Sequence, residues 1–228
     1  MIDPLKGGTP HRAGKYKGSQ HAKQAPVWHA CCCTADDLML GLGYYYSAGQ
    51  KMGESTVVVA VRGYLSVEQK SALNEQFSGY SPENMEGLRL KIFEFPAANA
   101  EDSGVNTSEM FGEFMNELKS SESSLILLDR NIYDMVGDET LFEDLSARYL
   151  GDPAVSGKYL YAVKDKPFVT AKGLEGLPEM YLVLRSSKSG AVNRNAKTLE
   201  LYHQQCELLD NIVYSTPPNG FAAQGLQK

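Results

Sequence analysis

Leu125, Ile126, Leu127 and Leu128 are four consecutive aliphatic residues with no polar residue between them. A strand with one wet face alternates polar and apolar residues. An unbroken run therefore predicts a strand buried on both faces, in the middle of a parallel sheet with helices on either side. The run stops at Asp129-Arg130-Asn131. In open α/β sheets, ligands sit outside the carboxyl ends of the central strands, so this junction is the first place to look for function.

The residues before the run build up to it in regular steps. Thr56–Arg62 is a β-branched apolar stretch and reads as the first buried strand. Gly63-Tyr64 makes a turn, and Ser66 with Gln69 three residues on forms a capping box. The helix that follows runs to about Gly79, with Leu73, Phe77 and Tyr80 on one face. Leu88–Phe95 is the second strand. Leu88, Leu90 and Ile92 alternate with Arg89 and Lys91, and then the phase slips to Phe93 and Phe95. An edge-proximal strand with one partly solvated half, or a bulge, gives that pattern. Asn106 is the N-cap of the next helix, whose apolar stripe is Met110, Phe111, Phe114, Met115 and Leu118.

Beyond Asn131, Ile132–Val136 reads as a short helix and Asp138–Tyr149 as a second one. Tyr159–Val163 and Met180–Leu184 are strands, with Lys164–Pro167 a turn. A last helix from about Asn195 to Tyr214 carries Leu199, Tyr202, Cys206, Leu209 and Ile212 at helical spacing. Alternation of strand and helix predicts an α/β fold, a three-layer sandwich with a mostly parallel central sheet, to which the pieces after Tyr149 add antiparallel strands. The division expected is 1–55 as a disordered segment and linker, 56–214 as the folded domain and 215–228 as a flexible tail.

Charge separates these parts. The formal net charge is −6, yet residues 1–30 hold five Lys or Arg against one Asp, so the remainder carries −10. An acidic body lacks the clustered basic face that nucleic-acid binding needs. Cys31, Cys32 and Cys33 are adjacent and Cys206 is far away, which is neither a disulfide framework nor a spaced zinc motif. A zinc site from His21, His29 and two of the cysteines would require adjacent thiolates to converge on one tetrahedral ion, so no metal is expected. Leu38–Ser47 resembles the end of a membrane anchor with an aromatic exit, though the apolar half before it is missing. A short packed helix or a disordered apolar patch is the alternative.

Catalytic signatures are absent from the body. It has no G-x-S-x-G, phosphate loop, strand-borne G-x-G-x-x-G or H-E-x-x-H. His203 is its one histidine, and Cys206 reads as a small buried hydrophobe. No cofactor is implied. What remains is a cleft of mixed character at the strand ends, formed by Arg62, Tyr64, Asp129, Arg130, Asn131 and Arg185. Arginines beside backbone amides suit anionic or carboxylate ligands, so a small anionic or peptide-like ligand, or a protein partner, is expected there.

Thr56–Arg62, Leu88–Phe95, Ser124–Asp129 and Tyr181–Ser187 with its following helix, in that order and texture, resemble the extracytoplasmic domains of small membrane-anchored proteins of gut Firmicutes. That group is similar to the type 2 periplasmic-binding-protein fold, related to the first lobe of extracellular solute-binding proteins. The resemblance covers about residues 56–214 and implies a non-enzymatic, extracytoplasmic binding or sensing module, membrane-anchored through its N-terminus. In this chain the anchor is incomplete, and the second lobe of a full binding protein is too short. The alternative is a small-molecule enzyme on a doubly wound sheet, using Asp129 with Arg62 or Arg130.

Overall fold

The computed structural model describes residues 55–96, 107–120 and 122–218. The expectations placed on the N-terminal basic segment, the cysteine cluster, Leu38–Ser47, the Asn106 cap and the end of the tail lie outside these residues.

The first strand, β1 (Ser55–Arg62), has Val57 to Val61 buried without a break, as a strand covered on both faces must. Ser66 starts helix α1 (Val67–Tyr80). Its hydroxyl accepts from the Gln69 N–H while the Gln69 side chain reaches back to the Ser66 N–H, and this completes the capping box. Leu73, Phe77 and Tyr80 are fully buried. Strand β2 (Leu88–Phe95) returns parallel to β1 in continuous register from Ser55↔Leu88 to Arg62↔Phe95, so no bulge interrupts it. Its phase slip has another cause. β2 is the edge of the sheet, and both of its faces are partly covered. Leu88, Leu90 and Ile92 pack toward α1, and Phe93 and Phe95 bury on the opposite face.

Helix α2 (Thr107–Ser120) then leads to β3 (Leu125–Asp129), all five residues of which are buried. β3 pairs parallel with β1 on the side away from β2. The chain thus steps from β1 to β2 on one side and then back across β1 to β3 on the other, and right-handed crossovers put α1 and α2 on opposite faces. The cores follow that division. Val57, Val59 and Val61 join the α1 side, and Val58 and Ala60 join Phe114 and Leu118 of α2.

Helix α3 (Arg130–Val136) follows directly. The single helix expected over Asp138–Tyr149 is broken. Glu139–Leu141 forms one 3-10 turn capped by Asp138, and Phe142 is extended and bridges to Arg185. Asp144 then caps a four-residue helix, α4 (Leu145–Arg148). Asp side chains that accept from nearby backbone N–H groups start new turns in preference to continuing one helix. Strands β4 (Val155–Ser156) and β5 (Leu160–Ala162), the short helix α5 (Pro167–Thr170) and strand β6 (Met180–Leu184) complete the sheet, which is α/β, six-stranded and mixed, in the order β2-β1-β3-β6-β5-β4. The parallel core is β2-β1-β3. β6 runs antiparallel to β3 and sits between it and β5.

The closing helix α6 (Ala196–Tyr214) is capped by Asn195, whose side chain accepts from the Thr198 N–H. Of the expected stripe Tyr202, Cys206, Leu209 and Ile212 are buried and Leu199 is 38% exposed, while Leu201, Leu208 and Val213 widen the buried face. Polar residues of α6 also hold the body. Gln205, 0% exposed, accepts from the Ser124 and Leu125 N–H groups at 2.6 and 2.7 Å and donates to Ser55 Oγ at 2.9 Å. It thereby fastens the starts of β1 and β3. Asn211 donates to the Tyr80 carbonyl of α1 at 3.0 Å.

Candidate functional site

The reversal of direction around β1 creates a switch point between the carboxyl ends of β1 and β3, where a doubly wound sheet opens its ligand crevice. Asp129 stands at that point and is 3% exposed. Its Oδ1 accepts from the Ile132 N–H at 3.0 Å, which makes it the N-cap of α3. Its Oδ2 accepts from the Arg62 N–H at 2.5 Å, across from β1. One carboxylate thus closes a helix start and clips two strand ends. Both oxygens are engaged by backbone, as a buried charge requires.

The loop beside it is held in a similar way. Gly63, at φ 109°, turns the chain out of β1 and donates to the Phe95 carbonyl at 2.7 Å. Only glycine enters that region without steric cost. Glu94 of β2 accepts from the Leu65 N–H at 2.6 Å and from Lys70 Nζ at 2.8 Å. Tyr64 is left 66% exposed, and the Arg62 side chain is exposed beside it without an ion pair among the described residues. Arg130 and Asn131 are exposed on the first turn of α3. Arg130 Nε donates to Asp134 Oδ1 at 3.0 Å, and its guanidinium lies 5.7 Å from the centre of the Tyr133 ring.

Arg185 does not join this group. β6 is antiparallel to β3, with Leu184 opposite Leu125, so Arg185 lies beyond the amino end of β3. At about 3.3 Å per residue, the length of β3 puts roughly 16 Å between it and Asp129. It is 2% exposed, its N–H donates to the Ser124 carbonyl at 2.8 Å, and Nη2 donates to the Glu117 carbonyl at 2.9 Å. Burial pushes its pKa down to about 10, against the opposing pull of the Glu117 charge. The expected cleft of six is therefore a group of five at one edge and a buried structural arginine at the other.

The open space at the carboxyl edge lies farther along, over β5 and β6. A cavity of about 330 Å³ has Val163, Leu174 and Met180 in its wall and Lys164, Glu175 and Glu179 around it. A second, of about 400 Å³, includes Asp152, Asp165 and Lys166 and shares Lys164 and Glu179 with the first. The segment that walls the first cavity turns back through Gly173 and Gly176, at φ 92° and 77°. None of this had a sequence signal beyond a turn at Lys164–Pro167.

Among the described residues, no cluster of three or more His, Cys, Asp or Glu could hold a metal ion, and no helix is long and apolar enough to cross a membrane. Cys206 is 7% exposed, and burial pushes its thiol up. His203 is exposed on α6. Comparison with protein-family models, with curated proteins and with solved structures gives no significant match.

Proposed function

We propose that the α/β domain is a non-enzymatic binding or sensing module that takes its ligand at the carboxyl edge of the sheet. The observation that carries this reading is the engagement of Asp129. The one carboxylate at the switch point accepts from a backbone N–H group on each oxygen and is buried, so its role is to hold the edge together. Arg130, the partner an enzymatic reading would give it, is turned to Asp134.

The proposal includes the solute-binding-protein-like character that the resemblance implies. Its supports are the doubly wound β2-β1-β3 start and a carboxyl edge that stays open over β5 and β6. The extracytoplasmic, anchored setting rests on the likeness of Leu38–Tyr46 to an aromatic membrane exit. Cell fractionation of the full chain tests it: recovery with soluble cytoplasmic proteins would contradict it.

The binding reading is tested by thermal unfolding of the full chain against amino acids, dipeptides, sugars and nucleotides, with each compound assayed for turnover. At a ligand concentration near one hundred times Kd, stabilisation reaches about 2.7 kcal/mol, or roughly 5–10 °C for a domain of this size. A saturable rise without turnover is expected. Turnover that Asp129→Asn abolishes in a still-folded protein would overturn the reading in favour of the enzyme.

A further inference from the structure

The chemistry of the β5–β6 edge narrows the ligand. The two cavities share Lys164 and Glu179. Of the charged groups around them, Asp152, Lys166 and Glu175 are committed elsewhere. Asp152 accepts from the Ala154 N–H at 2.9 Å and from the Tyr161 hydroxyl at 2.7 Å. Glu175 accepts from the Gly173 N–H at 2.7 Å, and Lys166 donates to the Val213 carbonyl at 2.6 Å. Lys164 makes neither an ion pair nor a hydrogen bond among the described residues, and it does not pair with Glu179. Glu179 faces the Tyr181 hydroxyl and helps to raise its pKa, after burial, which is the larger cause.

One cation and one carboxylate thus flank the same opening without neutralising each other. Val169, Leu177 and Pro178 of the same lining keep part of their apolar surface exposed, over the buried Val163, Leu174 and Met180. A cavity of about 330 Å³ is at the small end of ligand sites. An anion alone would leave Glu179 uncompensated and would meet Asp165 in the second cavity. A cation alone would meet Lys164. We propose that this site takes a small zwitterion with an apolar body, an aliphatic α-amino acid, with its carboxylate toward Lys164, its ammonium toward Glu179 and its side chain against Val169, Leu177 and Pro178. The inference rests on the binding-module reading and fixes its site and ligand class.

The test is a two-dimensional NMR titration of the ¹⁵N-labelled full chain with L-leucine. 4-Methylpentanoate and isopentylamine serve as controls that each keep one charge. Saturable shifts are expected at Lys164, Glu175–Leu177 and Glu179–Met180. Because both rim groups are exposed, each one-charge control should bind about two- to fivefold more weakly. Lys164→Ala should bring leucine down to the affinity of isopentylamine, and Glu179→Ala to that of 4-methylpentanoate. Equal binding of leucine and either control, or no saturable shift with leucine, would overturn the proposal. Saturable shifts centred on Arg62, Tyr64 and Arg130 would move the site and leave the binding module standing. Failure of leucine together with failure of the whole ligand panel would remove the module reading as well.

Discussion

The two halves of the sheet's carboxyl edge are built on opposite plans. Over β1 and β3 the edge is closed by the chain itself, with Asp129 holding the Arg62 and Ile132 N–H groups and Glu94 holding the Leu65 N–H. Over β5 and β6 it is open, and Lys164 and Glu179 stand at the mouths of two cavities. The closed half is where a doubly wound sheet ordinarily binds its ligand. Parallel strands that end together leave N–H groups to be satisfied, and a short buried carboxylate does this well. A residue in a site-like position can therefore be engaged on both oxygens by the backbone, and position alone does not separate the two roles.

Asp129→Ala is the sharpest way to break the comparison. It removes a helix cap and leaves a strand-end N–H without its acceptor, and a loss of roughly 2–4 kcal/mol is expected in urea unfolding. A loss below about 1 kcal/mol would mean that the closed half is not held by this residue.

Gln205→Leu comes next. It leaves the Ser124 and Leu125 N–H groups without an acceptor in a buried place, and a loss of about 2–3 kcal/mol is expected by the same measurement. A neutral result would show that water replaces the amide there.

The third effect is alkaline. Burial pushes the Cys206 thiol up, and it pushes the Tyr149 hydroxyl up together with the hydrogen bond to Asp210. The unfolded chain then releases these protons first, with its thiols near about 8.5 and its phenols near about 10. Above those values the folded state binds more protons than the unfolded one, so stability is full below about pH 8.5 and falls as pH rises. Urea midpoints measured across that range should decline, and Cys206→Ala should remove the earlier part of the decline. A flat profile in the parent chain would contradict the burial of both groups.

The smallest effect belongs to the open half. Lys164→Ala and Glu179→Ala should change stability by no more than about 0.5 kcal/mol, because both side chains are exposed. A larger loss in either would give that rim a structural role.

What was legible in the sequence follows the same division. The Leu125–Leu128 run marked a central strand because an unbroken apolar stretch has one cheap solution in a sheet. Ser66 and Gln69 marked the start of α1 because the capping box is local. The strand ends were readable as ends, yet which edge each occupies depends on strand direction. A strand of five apolar residues reads alike parallel or antiparallel, so the sequence pattern alone puts Arg185 with Asp129, and the antiparallel direction of β6 puts it at the opposite edge. The Asp138–Tyr149 stretch has helical spacing in its apolar residues, but Asp138 and Asp144 restart the backbone locally. The first cavity has no sequence signal because the stretch from Val163 to Met180 that lines it folds back on itself through Gly173 and Gly176 without a period.

The account turns on Asp129 being occupied by the backbone. Amide hydrogen exchange in the full chain reads this directly at the Arg62 and Ile132 N–H groups, since bonded and buried amides exchange only through opening of the structure. Both should exchange as slowly as the central amides of β3, and both should speed up in Asp129→Ala beyond what its lower global stability explains. Fast exchange at Arg62 in the parent protein would contradict the account, because it would show a carboxylate free to meet a ligand at the switch point.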